Sequence, residues 1–238
     1  MTVPKSALWK SIADVLRGEI AGGQYRPGDK LPTEAALAAR FGVNRHTVRH
    51  ALAEMAASGT VHARRGAGVF VASVPTDYPI GRRVRFQQNV LASGRTPSRQ
   101  ILRLETRASN AREAEILELA LGDAVHVVEG LSLADAVPMA MFRSIFPATR
   151  FADLPQTLVR LNSITAALAE AGVADYTRAS TRLTAKVADA LLARHLRIAE
   201  AAPVLRSVAV NVDATGRPVE FGTTWFAGER VTLTISPP

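Results

Sequence analysis

The chain has 238 residues, 47% hydrophobic and 21% charged, with 29 Lys and Arg against 21 Asp and Glu for a formal net charge of +8. That size and composition allow one or two domains with a buried core and exclude disorder, and the positive excess favours a polyanionic partner. The lack of cysteine excludes disulfides, thiol nucleophiles and thiolate metal sites. The opening MTVPKSALWKSIADVLRGEI is charged every few residues, so neither a signal peptide nor a membrane span is expected, and the expected compartment is the cytoplasm.

Before residue 75 there are 10 basic and 5 acidic residues, which concentrates charge density in the first third. Leu8 or Trp9, Ile12, Leu16 and Ile20 recur at helical spacing and stop at Gly22-Gly23. A second helix is predicted after Thr33, which can cap it, with Leu37 and Phe41 on one face and Gly42 as its break. A third follows at once, capped by Asn44, with Val48, Leu52 and Met55 on its buried stripe. Two short helices around a glycine turn form a helix-turn-helix, whose second helix enters the major groove N-terminus first. That places Asn44, Arg45, His46, Thr47 and Arg49 where bases are read. Arg suits guanine O6 and N7, and Thr suits phosphate or a thymine methyl. Val61-His-Ala-Arg-Arg-Gly-Ala-Gly-Val-Phe-Val71 then alternates about a Gly-X-Gly tip, predicting a β-hairpin wing that carries Arg64 and Arg65. Solvated arginines on a helix face and a basic turn are the alternatives for these features taken singly.

Taken together, Tyr25-Arg-Pro-Gly-Asp-Lys-Leu-Pro-Thr-Glu34, Leu37-Ala-Ala-Arg-Phe-Gly-Val-Asn-Arg-His-Thr-Val-Arg-His-Ala-Leu52 and Arg64-Arg-Gly-Ala-Gly-Val-Phe-Val71 resemble the GntR family of bacterial regulators. The resemblance implies a homodimer that binds an inverted-repeat operator, with Arg45, Thr47, Arg49 and Gly66 contacting DNA. Thr33 and Glu34 join that candidate set. Ala35 stands where the family often has a further basic residue, so a shifted contact pattern is expected.

Ala72-Ser-Val-Pro-Thr-Asp-Tyr-Pro-Ile80 carries two prolines and is expected to be a linker, dividing the chain into a DNA-binding domain 1–74, a linker 75–81 and a second domain 82–238. Beyond it a short helix is expected at Phe86–Leu91, a strand at Ile101–Thr106, and a capping box from Asn110 to Glu113. Two hairpins follow, Val125–Leu133 with Met139–Phe146 and Val204–Val212 with Val219–Phe226. The fold class is therefore α+β, a winged helix-turn-helix followed by an antiparallel-sheet domain. No internal repeat is evident. In Tyr176–Lys186, strand alternation puts Arg178, Ser180, Arg182 and Thr184 on one face, either to grip a phosphate, phosphonate or carboxylate or to meet solvent. Arg82, Arg83 and Arg85 are open to DNA, effector or solvent.

Arg85-Phe-Gln-Gln-Asn89, Leu133-Ala-Asp-Ala-Val-Pro138, Arg178-Ala-Ser-Thr-Arg182, Gly216-Arg-Pro-Val-Glu220 and Trp225-Phe-Ala-Gly-Glu-Arg-Val231 resemble the UTRA effector domain of the HutC branch, similar in fold to chorismate lyase. Within that branch, Asn44–Arg49 and Trp225–Val231 look most like regulators of phosphonate-utilisation operons. The resemblance implies a small-molecule effector touching Arg85, Phe86, Gln87, Glu220 and Phe226. Sugar-phosphate sensors carry arginines and an acid where this chain has Gly130, Ser132 and Phe142, so an anionic phosphonate or phosphate ester is expected instead.

Two rival functions are an architectural DNA binder without sequence preference and, because of the lyase-like fold, an enzyme. His126 and His195 lie in no catalytic motif, and His46 with His50 lacks a third metal ligand. No catalytic residue, metal, cofactor or membrane partner is therefore expected.

Overall fold

The computed structural model describes residues 5–64, 66–72, 75–83 and 86–235. The chain divides into two compact units, Met1–Val74 and Pro75–Pro238.

The first unit contains α1 (Lys5–Ala21), α2 (Glu34–Phe41), α3 (Arg45–Ala57), β1 (Val61–Arg64) and β2 (Gly68–Val71). Thr33 Oγ1 caps α2 by accepting from Ala36 N at 3.2 Å, and Gly42 ends it at φ 64°, a left-handed conformation cheap only for glycine. Asn44 caps α3. The helices bury Ile12, Leu16, Leu37, Val48, Leu52 and Met55 in one core closed by Val61 and Val71. Each such large side chain contributes about 1.5–3 kcal/mol on burial. Trp9 stacks on His50 with ring centroids 4.4 Å apart, and ion pairs Arg17–Glu54 and Arg40–Glu19 tie α1 to α3 and α2. β1 and β2 form an antiparallel hairpin with Arg64 opposite Gly68. The segment before α2 runs beside it, Leu31 N donating to Val69 O at 2.8 Å and Val71 N to Asp29 O at 2.9 Å. Gly68 suits that place because its φ of 114° is a conformation that L side chains rarely adopt.

The second unit runs β3 (Thr76–Pro79), α4 (Phe86–Ala92), β4 (Pro97–Ala108), α5 (Ala111–Leu117), β5 (Ala124–Ala134), β6 (Val137–Pro147), α6 (Leu154–Leu161), α7 (Ile164–Glu170), β7 (Thr177–Val187), α8 (Ala190–Leu196), β8 (Pro203–Val212), β9 (Pro218–Ala227) and β10 (Val231–Thr234). Six strands form one antiparallel sheet in the order β4-β5-β6-β9-β8-β7. α6 and α7 pack on one side with Phe142, Phe146 and Val219. On the other side α5 packs over Val127 and Phe221, and α8 over Leu131 and Val204.

The expected linker 75–81 is corrected by this structure, because Thr76–Pro79 is a strand paired in parallel with β10. Thr76 and Tyr78 point inward, and Tyr78 joins a cluster with Val90, Met139 and Phe226. A strand in a two-stranded edge pair has one side without ladder bonds, so it tolerates the proline that read as a linker signal.

The sheet also contains an internal repeat that sequence comparison did not show. β4-α5-β5-β6 and β7-α8-β8-β9 have the same order and mirror each other across the β6·β9 junction. Asn110 and Asp189 cap the paired helices α5 and α8, which end at Glu118 and Arg197 in the left-handed conformation. The two halves also clasp each other reciprocally: Arg150 donates to Pro218 O and Arg230 to Pro138 O. The repeat is carried by apolar positions and caps, with few identical residues, which hid it.

His126 is buried between Thr106, whose Oγ1 lies 2.7 Å from Nδ1, and Phe151 O, 3.1 Å from Nε2. Burial lowers its pKa below the usual 6.5. The unfolded chain therefore binds the proton first, so stability is full above about pH 6.5 and falls as pH drops below it. Melting temperatures between pH 7.5 and 5 are expected to fall less steeply in His126→Gln than in the parent; equal slopes would remove His126 as the cause.

Candidate functional site: a nucleic-acid interface and an anion pocket

In the first unit, Asn44 Oδ1 accepts from both Thr47 N and Thr47 Oγ1 at 2.9 Å, which fixes the opening turn of α3. Arg45 and His46 stand exposed on that turn with no hydrogen bond or ion pair among the described residues. Their exposure and the positive end of the α3 dipole suit a polyanion. Arg49 is different. It forks onto Glu34, Nε to Oε1 at 3.1 Å and Nη2 to Oε2 at 2.8 Å, and so braces α3 against the start of α2. The same contact holds the Glu34 carboxyl below its ordinary range. Thr33 spends its hydroxyl on the α2 cap. Glu34 therefore braces α3, while Thr33 acts on α2 alone. At the wing, Gly66 is exposed at φ 74°, Arg65 lies outside the described residues, and Arg64 is described in its backbone alone.

In the second unit, a cavity of about 100 Å³ opens on the sheet face that carries α6 and α7. Its walls include Tyr78, Phe86, Tyr176 and Phe226, and its polar lining includes Arg99, Arg178, Glu220 and Asn211. The register explains this grouping. Arg99 sits opposite Ser132 on β4·β5, Arg178 opposite Asn211 on β7·β8, and Asn211 opposite Glu220 on β8·β9, and directly paired residues share a face. The two arginines thus occupy matching places in the two halves of the repeat, one from each edge strand.

Glu220 is buried and fully engaged, accepting from Ser144 Oγ and from Asn211 Nδ2 at 2.7 Å. The arginines are not satisfied in this way. Arg99 Nε and Arg178 Nε are both buried without a hydrogen-bond partner among the described residues. Burial lowers the Arg99 pKa, with Glu220 opposing that shift, while Arg99 Cζ stacks 4.9 Å over the Phe142 ring. Burial also pushes the Tyr78 hydroxyl up to about 12, so it stays protonated as a neutral donor. Two guanidiniums against one carboxylate leave the lining net positive. With the hydroxyls of Ser132, Ser207, Thr165 and Thr224 around them, the chemistry fits a small anion. Gly130 supports the Phe142 ring, since a Cβ there would lie 2.8 Å from Phe142 Cζ and 2.5 Å from Gln100 O.

Of the expected effector residues, Phe86, Arg178, Glu220 and Phe226 line this cavity. Gln87 is exposed on α4, and Arg85 lies outside the described residues. The shared face expected for Arg178, Ser180, Arg182 and Thr184 is corrected. A bulge between Arg178 and Ser180 shifts the register, so Ser180 pairs with Val210, Arg182 with Val208 and Thr184 with Arg206, on the opposite sheet face. All three are exposed. Arg83 pairs with Asp175 at 2.6 Å, and the carbonyl of Arg82 accepts from Arg178 N. Sequence reasoning missed Arg99, Tyr78 and Tyr176. A usable signal existed for Arg99, a cation two residues before Ile101 on the apolar face of a strand.

Comparison with known proteins bears on the family and the fold of both units. Residues 8–71 match the family described as "Bacterial regulatory proteins, gntR family", and residues 92–232 match the "UTRA domain". The chain is 38% identical to the "Uncharacterized HTH-type transcriptional regulator RB1450" of Rhizobium meliloti (strain 1021), covering 96% of this chain and 94% of that protein. It is 32% identical to the "Probable transcriptional regulator PhnF" of Escherichia coli (strain K12), covering 95% and 94%. The crystal structure of PhnF from Mycobacterium smegmatis superposes with a TM-score of 0.68 at 26% identity, over 95% of this chain and 99% of that one. These relatives are transcription regulators, in keeping with the expectation that the chain is no enzyme. The helix-turn-helix, its wing and the antiparallel effector sheet thus have one explanation: the chain belongs to the GntR family of bacterial regulators, of the HutC type with a UTRA domain, and is a DNA-binding transcription regulator similar to the PhnF proteins.

Proposed function

We propose that the chain is a dimeric cytoplasmic repressor of genes for the uptake or metabolism of organophosphorus compounds, released from an inverted-repeat operator when a small phosphonate or phosphate ester occupies the effector pocket. The observation that carries the effector assignment is the pair of buried, unpartnered guanidinium nitrogens of Arg99 and Arg178 in one cavity. A buried donor left unpaired costs about 1–3 kcal/mol, which an anion with several acceptor oxygens offsets. The repressor sense is supported by relatives such as the "HTH-type transcriptional repressor PhnF" of Mycolicibacterium smegmatis (strain ATCC 700084 / mc(2)155), 27% identical over 88% of this chain. The modest cavity, with Phe142 packed over Gly130, favours a compact phosphonate over a sugar phosphate. On the DNA side the proposed contacts are Thr33, Glu34, Asn44, Arg45, His46, Thr47 and Arg49 with the wing residues Arg64, Arg65 and Gly66, Glu34 also bracing Arg49.

The test is binding of the purified protein, at fixed salt, to DNA upstream of its own and neighbouring genes, with and without alkylphosphonates, phosphate monoesters and inorganic phosphate. One palindrome bound well above random DNA, and released by one of these anions, is the expected result. Equal affinity for random DNA would instead make the protein an architectural binder.

A further inference from the structure

Four arginine Nε atoms are buried without a hydrogen-bond partner among the described residues, and the effector pocket accounts for those of Arg99 and Arg178. The other two, on Arg143 and Arg206, belong to the opposite face of the same sheet. Alternation puts them there. Phe142, Ser207 and Thr224 line the pocket, so their chain neighbours Arg143 on β6, Arg206 on β8 and Thr223 on β9 point the other way. Register then draws these three together. Arg143 is directly opposite Thr223, with about 5 Å between Cβ atoms, and Arg206 is a diagonal neighbour of Thr223, at about 7–8 Å. A third guanidinium comes from α5: Arg112 Cζ lies 5.7 Å from the ring centroid of Phe221, which is two residues before Thr223 and so on its face.

We infer that Thr223 is the floor of a second anion site, where Arg112, Arg143 and Arg206 hold the phosphoryl group of inorganic phosphate or of a phosphate monoester. The three guanidiniums are not neutralised within the protein. Glu129 Oε1 lies 3.4 Å from Arg143 Nε, whereas the side chains of Arg112 and Arg206 have no ion pair or hydrogen bond among the described residues. Three cations against that one carboxylate leave an excess positive charge that a phosphoryl dianion balances. Guanidinium donors match phosphate oxygens in pairs, and the Thr223 hydroxyl adds a donor from below. Arg143, Arg206 and Thr223 are partly exposed and Arg112 is exposed, so a ligand reaches them from solvent. A donor closed off from water without a partner is a cost that an oxyanion over Thr223 removes. The site lies across the thickness of the sheet from the effector pocket and is independent of what that pocket binds.

Equilibrium dialysis of the purified protein against radiolabelled orthophosphate at low ionic strength tests this. Arg99→Met serves as the background, because it removes a cation of the effector pocket and leaves the other face intact. Saturable phosphate binding is expected to persist there. Adding Arg206→Gln or Arg143→Gln should weaken it about tenfold or more, and Thr223→Val severalfold, with the circular dichroism spectrum and operator affinity unchanged. Adding Arg182→Gln removes the same charge from the same face, but Arg182 is exposed on β7, two strands from Thr223, and phosphate affinity should not change. Competition by AMP or glucose 6-phosphate at lower concentration than unlabelled orthophosphate would assign the site to an ester, and the opposite order to inorganic phosphate. An Arg99→Met protein that binds no phosphate, or one in which Arg206→Gln and Arg143→Gln change affinity no more than Arg182→Gln, would overturn the inference. The effector reading is decided separately, by whether Arg99→Met loses anion-driven release from the operator.

Discussion

Arg99→Met is expected to abolish the response to anionic effectors and, in the same protein, to leave the ligand-free fold as stable as before or more stable. The two effects have opposite sign because Arg99 carries a buried Nε with no partner and a pKa lowered by burial. Ligand binding gives that cation its counter-charge. Truncating one partner of a buried charge pair costs about 2–5 kcal/mol, which is roughly thirtyfold or more in effector affinity. Without ligand, Arg99 is largely desolvated and opposed only by a Glu220 carboxylate already engaged by Ser144 and Asn211, so an apolar side chain of similar length removes a desolvation cost at little loss of pairing. Methionine also keeps a contact with the Phe142 ring, over which Arg99 Cζ lies at 4.9 Å. Titration calorimetry with the active anion and a thermal melt measure the two effects on one preparation. Arg182→Met is the control, since Arg182 is exposed on the other sheet face and should alter neither. An Arg99→Met protein still released from DNA by the same anion would remove the pocket assignment.

The second large effect is expected from Arg45→Ala, which should weaken binding to the operator far more than binding to random DNA. Arg45 is exposed on the first turn of α3 and is not committed within the protein. If it forks onto a guanine, each half-site loses about 1–3 kcal/mol, and a two-fold operator loses about twice that. The salt slope distinguishes the roles. Loss of a base contact leaves it nearly unchanged, whereas loss of a phosphate contact lowers it by about one unit per contact and weakens all sequences together. Arg49→Ala should behave differently, lowering thermal stability as well, because its guanidinium is already bound to Glu34. Glu34→Gln should reproduce the part of the Arg49 effect that comes from that brace. Equal loss on operator and random DNA in Arg45→Ala would show that this residue does not read bases.

Local chemistry decided the DNA-binding unit, and it was legible for that reason. Thr33, Asn44 and Gly42 act through contacts three residues away or through their own φ, so their helix boundaries could be read directly. The capping box of Asn110 and Glu113 and both long hairpins were legible for the same reason. The effector pocket was different, because it is assembled from residues brought together by strand pairing across all six strands, β4 to β9. One bulge after Arg178 moved Ser180 and Arg182 to the far face, and no composition signal marks which residue a sheet leaves unpaired. Arg99 became part of the site only because the internal repeat sets β4 and β7 at matching edges, about 80 residues apart in sequence. Sequence by itself determined the helix-turn-helix, the wing and the family, whose signals span a few residues. Tertiary structure alone decided which arginines share a cavity, because strand register is set by side-chain packing across the whole sheet.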